Sequence, residues 1–142
     1  MYHYRKTRNN YKKLNASDRQ QADCTFCRTL KQKAGIVYDG STMFILSNRV
    51  SYDLFEGRAV TDHLMVIPKR HTESLADFTD EEALEMHRLS GEYELKGYNI
   101  YARSSDSVTR SVRHQHTHFI KTDNKVNKLF LYIRRPHFLI KL

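Results

Sequence analysis

The stretch from Val112 to Ile120, Val-Arg-His-Gln-His-Thr-His-Phe-Ile, places a histidine at every second position. We predict a β-strand over these residues. Side chains alternate between the two faces of a strand, so His114, His116 and His118 should point the same way. On a solvated face Val, Ile or Thr would suit a strand better than histidine. The pattern therefore indicates a functional cluster, with a chance cluster on an edge strand as the alternative.

Histidine chemistry leaves two functions open for this cluster. Near neutral pH an imidazole acts as a nucleophile, a proton donor or a metal ligand. The only two cysteines of the chain form the pair Cys24-Thr-Phe-Cys27. In a reducing compartment such a pair is typical of metal binding or redox chemistry rather than of a structural disulfide. The residues alone therefore predict a catalytic site, a metal site, or both.

Composition and charge restrict the class of protein. At 142 residues, with 39% hydrophobic and 28% charged residues, the chain is predicted to form one globular domain. Its net charge of +8 favours polyanionic partners such as nucleotides, nucleic acid or anionic lipid. A basic surface that only keeps the protein soluble is the alternative.

The sequence gives no signal for a membrane or for export. No apolar run approaches the roughly 20 residues of a membrane span. The basic start, Met1 to Arg8, is not followed by an apolar stretch and does not resemble a secretory signal. We therefore expect a cytoplasmic protein without a membrane partner.

The first half of the chain predicts a basic N-terminal segment and then strands. Residues 1–22 carry six basic residues and one acid, and form an arm or a short helix. Residues 35–48 contain two β-rich runs separated by Asp39-Gly40, a typical hairpin signal. Residues 49–62 are predicted to be a long loop, and residues 63–68 an apolar strand that ends at Pro68.

The second half predicts one principal helix followed by more strands. Thr79-Asp-Glu-Glu82 has the pattern of a capping box, and Gly97 is placed to end the helix. Residues 98–102 are predicted to form a strand, residues 103–110 a Ser-rich turn, and residues 129–142 a final strand. Strands that do not alternate regularly with helices predict an α+β fold with a mainly antiparallel sheet of five or more strands.

These motifs together resemble the histidine triad superfamily of nucleotide hydrolases and transferases, in its zinc-binding Cys-x-x-Cys branch. The strand from His114 to Ile120 matches the His-x-His-x-His signature followed by two hydrophobic residues. Asp62 to His71, with the segment leading into the helix, is similar to the family's central strand. The resemblance extends from about Cys24 to Ile120 and implies that residues 23–142 form a histidine-triad-like nucleotide-binding domain.

The resemblance implies a structural zinc site, a knuckle near the N-terminus. Tetrahedral zinc takes four ligands. In zinc-binding members the partners of the cysteine pair are the histidine that closes Ile-Pro-x-x-His and the first triad histidine. The implied ligands here are Cys24, Cys27, His71 and His114. His63 is the alternative ligand, and two buried or reducible thiols without a metal are the alternative to zinc.

The resemblance also implies nucleophilic catalysis at an α-phosphorus. His116 corresponds to the histidine that forms a nucleotidyl intermediate, which water or an acceptor then resolves. His118 would hydrogen-bond a phosphate oxygen, and His63 would lie near the leaving group. Asn48 matches an Asp or Asn that contacts the ribose hydroxyls. Ser111 matches a serine that hydrogen-bonds the phosphate or the leaving group.

Departures from the family pattern concentrate positive charge near the triad. Many members have Gly-Gln-Ser-Val before the triad, whereas this chain has Thr-Arg-Ser-Val, and Arg103 stands where an asparagine is common. Arginine offers bidentate contacts to phosphate. We expect Arg103, Arg110 and Arg113 to bind a substrate with several phosphates or a nucleic-acid end, with solvated loop arginines as the alternative.

The implied function is hydrolysis or transfer at the α-phosphate of dinucleoside polyphosphates or adenylated small molecules. One alternative is deadenylation of nucleic-acid ends, as in the aprataxin branch. The other is a nucleotide-binding zinc protein with little turnover. The expected partners are an adenine nucleotide, a second copy of the chain in a homodimer, and nucleic acid bound weakly.

Overall fold

The computed structural model describes residues 2–19, 23–123, 125, 130–133 and 138–141. In these residues the helices are α1 (Arg5–Arg19), α2 (Thr25–Gln32) and α3 (Asp80–Leu95), with a 3-10 turn at Leu75–Asp77. The strands are β1 (Ile36–Asp39), β2 (Met43–Ser47), β3 (Leu54–Phe55), β4 (Arg58–Pro68), β5 (Tyr98–Ala102), β6 (Thr117–Thr122), β7 (Phe130–Ile133) and β8 (Phe138–Lys141).

One antiparallel sheet organises the fold. Its strand order is β1-β2-β4-β6-β5, and the short β3 pairs with the start of β4. In the register between β4 and β6, His63 lies opposite Ile120 and Met65 lies opposite His118. The α+β class, the antiparallel sheet of more than five strands and the principal helix α3 are therefore confirmed.

The two faces of the sheet have different partners, because side chains alternate along each strand. One face buries Met43, Ile45, Val66 and Phe119 against Leu89 of α3. On the other face, Phe26 of α2 packs with side chains of β2 and β4 in a second apolar cluster: Phe26, Phe44, Leu46, Met65 and Ile67. Alternation also turns His63 and His118 to this second face, away from α3.

The predicted boundaries of α3 are confirmed by its caps. The Thr79 hydroxyl accepts from the Glu82 N–H, and the Glu82 carboxylate accepts from the Thr79 N–H at 2.9 Å. Past the helix, Gly97 has a φ of 83°, a left-handed conformation that favours glycine. The capping box and this glycine were therefore sound sequence signals.

The predicted hairpin at Asp39-Gly40 forms between β1 and β2, and α3 stabilises it. The buried Glu85 carboxylate accepts hydrogen bonds from the backbone and hydroxyl of Thr42, each at 2.6 Å, and from Tyr38 at 3.1 Å. A Cβ on Gly40 would overlap Glu85 Oε1 and lie 2.6 Å from Tyr38 Cε1. Glycine is needed here because the carboxylate fills the space.

Two strand boundaries differ from the prediction. Residues 49–62 are not a single loop, because Leu54–Phe55 forms β3 and β4 already begins at Arg58. A tight turn joins these strands, in which Glu56 has a φ of 50° and Gly57 a φ of 72°. The start of β4 gave no clear strand pattern because its first five residues, Arg58 to Asp62, are exposed or only partly buried.

The triad strand is shorter than predicted and its histidines are not solvated. Strand β6 begins only at Thr117, so His114 and His116 precede it. Their backbone is held by other contacts, such as the Gln115 N–H donating to the Thr72 carbonyl at 2.6 Å. All three triad histidines are buried. Since β6 lies between β4 and β5, the alternative of an edge-strand cluster is also wrong.

The structure has further elements at both ends of the described chain. The predicted final strand over 129–142 is instead two antiparallel strands, β7 and β8, in a separate sheet. Residues 129, 134–137 and 142 lie outside the described residues. At the other end, helix α1 occupies much of the segment 1–22, and the proposed division into segments 1–22 and 23–142 stays a prediction. No helix in the described part of the chain has the length and apolar character to span a membrane.

The crowding at Gly40 generates a stability prediction. Gly40→Ala should lower the free energy of unfolding by about 2 kcal/mol, because the new methyl group must displace the Glu85 carboxylate or the Tyr38 ring. Gly91→Ala is the matched control, since Gly91 is an exposed residue of α3 and a Cβ added to it would meet nothing within 4 Å. That substitution should raise stability by about 0.5–1 kcal/mol. Urea denaturation measures both, and equal effects would contradict the role of the carboxylate.

Candidate functional site

A cleft of about 560 Å³ opens on the sheet face that carries His118. It is lined by side chains from the N-terminal segment, from α2, from the segment after β2, and from the residues around the triad. Among the described residues that line it are three arginines, Arg28, Arg49 and Arg103, and no carboxylate. Arginine side chains that line a cleft favour an anionic ligand.

His116 lines the cleft in a defined tautomer. Its Nδ1 lies 2.9 Å from the His114 carbonyl oxygen. Because a carbonyl only accepts, Nδ1 must carry the ring proton and Nε2 keeps its lone pair. Burial lowers the pKa of His116 to about 4, so that the ring is neutral at pH 7. A neutral imidazole with a free lone pair is the form that acts as a nucleophile.

Two consecutive hydrogen bonds assign the tautomer of His118. The Tyr52 N–H donates to His63 Nδ1 at 3.3 Å. His63 Nε2 therefore carries the ring proton and donates to His118 Nδ1 at 2.9 Å. His118 Nε2 is then the protonated nitrogen, and it is buried without a hydrogen-bond partner in the described part of the chain. An unpartnered donor in a cationic cleft suits an oxygen atom of an anion.

Burial keeps these histidines neutral. It lowers the pKa of His63 to about 4 and that of His118 to about 2, and the neighbouring imidazoles act in the same direction. The rings of His116 and His118 have centroids 5.0 Å apart. The site thus has a lone-pair nitrogen on one imidazole and an N–H donor on the neighbouring imidazole, groups that can act as a nucleophile and as a hydrogen-bond donor.

Other predicted site residues also lie at the cleft. Asn48, Ser111 and Arg103 line it together with His116 and His118. The Asn48 amide nitrogen is 3.3 Å from His63 Nδ1. Arg103 donates to the Tyr52 hydroxyl at 2.8 Å, so its charge is held next to the His63–His118 pair. His63 itself is buried behind His118 and is not among the cleft-lining residues.

The structure separates the three arginines that the sequence groups together. Arg110 donates to the Arg113 carbonyl at 2.6 Å and to the Gln115 side chain at 2.9 Å, and so binds its own loop. Arg113 is exposed and pairs with Glu73 at 3.3 Å. Of the three, only Arg103 is a lining residue of the cleft.

A second cluster joins the N-terminal part of α2 to the triad. Its members are Cys24, Cys27, His71 and His114, and their ligand atoms all lie within 4.8 Å of one another. His71 Nδ1 is 3.3 Å from Cys27 Sγ, and His114 Nδ1 is 3.5 Å from each cysteine sulfur. With ordinary Zn–S and Zn–N bond lengths, tetrahedral ligands stand about 3.6 Å apart. The donor set and its spacing therefore fit zinc.

The outer nitrogen of His114 supports this fit. His114 Nε2 donates to the Pro68 carbonyl at 2.9 Å, which directs the unprotonated Nδ1 towards the two sulfurs. Histidines that bind a metal commonly donate their other N–H to a carbonyl or a carboxylate. His63, the alternative ligand, instead bonds His118 and is not a member of the cluster.

Several cleft residues had no assigned role at the sequence level. Helix α2 presents a polar row at helical spacing, Thr25, Arg28, Thr29 and Gln32, and this periodicity was detectable. Tyr52 lies in the segment predicted to be a loop. His3 and Tyr11 reach the cleft from the N-terminal segment, and no sequence signal connects them with the triad.

Comparison with solved structures identifies the fold. A HIT family protein from Bacillus subtilis superposes with a TM-score of 0.56 at 22% identity, covering 82% of this chain and 86% of that one. A Zn-bound histidine triad family protein from Mycobacterium smegmatis gives 0.55 at 23% identity, over 72% and 76%. A HIT family hydrolase from Clostridium thermocellum gives 0.56 at 18% identity, over 77% and 98%.

These similarities show that the chain has the histidine triad fold, as the sequence motifs predicted. No protein-family model matches the chain, and no curated protein matches it in sequence. The match is thus one of architecture, and the functional conclusion depends on the site itself.

The burial of His63 predicts how stability depends on pH. Its pKa falls from 6.5 to about 4 on folding, so the unfolded chain binds the proton first as the pH drops. As the pH falls from 7 to 5, protonation of His63 in the unfolded chain should therefore lower the free energy of unfolding by about 2 kcal/mol. The His63→Gln variant should lose less unfolding free energy between pH 7 and pH 5 than the wild type does. Urea denaturation in saturating zinc measures both proteins. Identical slopes for the variant and the wild type would contradict the shifted pKa.

Proposed function

We propose that the protein is a nucleotide hydrolase or transferase that acts at an α-phosphate through a nucleotidyl-histidine intermediate. The observation that carries the proposal is the orientation of His116, whose Nδ1 proton is held by the His114 carbonyl while Nε2 keeps its lone pair. The cationic cleft and the histidine triad fold support a nucleotide as the ligand. The proposed substrates are dinucleoside polyphosphates or adenylated small molecules.

The geometry of the residues supports the following reaction. His116 Nε2 attacks the α-phosphorus, a P–N bond forms, and the bond to the leaving group breaks. A nucleoside polyphosphate leaving group departs as an anion and needs no proton from the protein, whereas an amine leaving group takes its proton from solvent water. The His114 carbonyl stabilises the positive charge that develops on the ring, because it accepts a hydrogen bond from the Nδ1–H. Water or an acceptor then breaks the P–N bond and restores the free imidazole.

Neighbouring residues would bind the rest of the nucleotide. The N–H of His118 Nε2 is oriented by His63 and would donate to a phosphate oxygen. Ser111, on the exposed rim of the cleft, would hydrogen-bond the phosphate or the leaving group. Asn48 would contact the ribose hydroxyls, and Arg103 would add charge beside the phosphates. Positioning and charge neutralisation of this kind account for most of the catalysis of phosphoryl transfer.

Two further parts of the proposal concern zinc and self-association. Cys24, Cys27, His71 and His114 would hold a structural zinc ion that fixes α2 against the segment before β6. A homodimer is supported by the exposed apolar side chains Leu84, Leu95 and Ile100, which lie on α3 and on the edge strand β5.

Deadenylation of nucleic-acid ends remains the second candidate, because exposed basic residues of α1 belong to the same N-terminal segment that lines the cleft: Arg5, Lys6, Lys12 and Lys13.

The catalytic part is tested by His116→Asn. Turnover should fall by about 10³-fold or more, because the nucleophile is lost while the cleft keeps its shape. His87→Asn is the matched control, since His87 lies on the exposed side of α3. The substrate panel contains a dinucleoside polyphosphate, an adenylated amine and a 5′-adenylated oligonucleotide, and mass spectrometry searches for an adduct on His116. Unchanged turnover in His116→Asn would overturn the mechanism, and preference for the oligonucleotide would favour the second candidate.

Removal of the proposed metal is tested separately. Metal analysis of the purified protein should give one zinc per chain, and Cys27→Ser should lose it. The melting temperature should then fall by about 10 °C or more, because metal binding contributes to the free energy of folding. A chelator should produce the same fall in the wild type, and added zinc should reverse it. A Cys27→Ser variant that keeps one zinc per chain would exclude these ligands.

A further inference from the structure

The N-terminal segment, residues 2–14, contributes to the cleft although it lies outside the stretch that resembles histidine triad proteins. Its His3, Tyr11 and Leu14 are lining residues. We call these three side chains the N-terminal wall. Tyr11 and Leu14 are three residues apart on helix α1, so they share one face of that helix.

Hydrogen bonds to the segment around β3 hold the N-terminal wall in position. The backbone of Tyr2 pairs with Leu54, with N–O distances of 2.9 and 3.2 Å. The Asp53 carboxylate accepts from the Tyr4 N–H at 2.7 Å and from the Thr7 hydroxyl at 3.1 Å. Its negative charge also lies at the N-terminus of α1, where it stabilises the helix dipole. The wall is therefore part of the folded domain rather than a loose arm.

Aromatic contacts join the wall to the triad. The His3 ring stacks on Tyr11 with centroids 5.6 Å apart and planes 24° apart, and lies 5.3 Å from Tyr52. The Tyr52 ring is in turn 5.6 Å from His118. The wall thus begins beside the His118 end of the cleft, and Leu14 continues it one helical turn beyond Tyr11.

This arrangement suggests which part of the ligand the wall contacts. In the proposed function, on which this inference rests, the α-phosphate lies at His116 and the ribose at Asn48. The base must then occupy a further part of the cleft. A tyrosine ring offers a stacking surface to any base. We propose that the N-terminal wall binds the nucleoside and that Tyr11 contacts the aromatic base.

The test compares two ligands that differ only in the base. Adenosine 5′-monophosphate and ribose 5-phosphate are titrated by calorimetry into His116→Asn protein, which binds without turnover. Adding Tyr11→Ala should raise the Kd of adenosine 5′-monophosphate about tenfold and leave that of ribose 5-phosphate within about twofold. Tyr11→Phe should keep the tight binding, because the aromatic ring remains. Asn10→Ala is the matched control, since Asn10 is the residue before Tyr11 on α1, is exposed and does not line the cleft.

Each outcome discriminates. Unchanged binding of adenosine 5′-monophosphate in Tyr11→Ala would overturn the inference, and so would an equal loss for both ligands, which would indicate a structural role. Melting curves of the same variants identify any loss of folding. Wild-type turnover with an adduct on His116, combined with unchanged binding in Tyr11→Ala, would overturn the role of the N-terminal wall. The enzymatic proposal would then stand. Base-dependent binding through Tyr11 without turnover would leave the wall in place and overturn the enzymatic proposal.

Discussion

His114 connects the two halves of the candidate site, and the rest of the arrangement depends on it. Its Nδ1 faces both cysteine sulfurs, and its Nε2 donates to the Pro68 carbonyl. Its own carbonyl accepts a hydrogen bond from the Nδ1–H of His116. One buried residue therefore fixes the metal-ligand cluster, the end of β4 and the tautomer of the proposed nucleophile. Displacement of this backbone would disturb the cluster and the nucleophile at the same time.

The sheet separates stability from chemistry by the alternation of side chains. Residues that point to one face build the core with α3, and Glu85 ties that helix to the hairpin at Gly40. Residues that point to the other face include His118, which lines the cleft, and His63, which lies buried behind it. Leu89 of α3 packs against one face of the sheet, and the cleft lies on the opposite face.

The local features of the fold were largely predictable. The capping box at Thr79 and the left-handed glycine at Gly97 are short-range signals, and both act within a few residues of the chain. The hairpin at Gly40 was also predicted, although the reason for its glycine is a distant carboxylate. The start of β4 at Arg58 was not predicted, since its first residues are exposed or only partly buried and give no clear alternation. The pairing of β7 with β8 was not predicted either, because the apolar run from Leu129 favoured one strand.

The sequence by itself determined the residue types of the site and the family of folds that they resemble. The spacing of His114, His116 and His118 and the cysteine pair carry that information, because the chemistry needs those residue types. Only the tertiary structure decided that the histidines are buried and neutral, that Arg103 reaches the cleft while Arg110 does not, and that His3 and Tyr11 line it. Burial, tautomer and charge partners depend on contacts between segments far apart in the chain, and no local pattern encodes them.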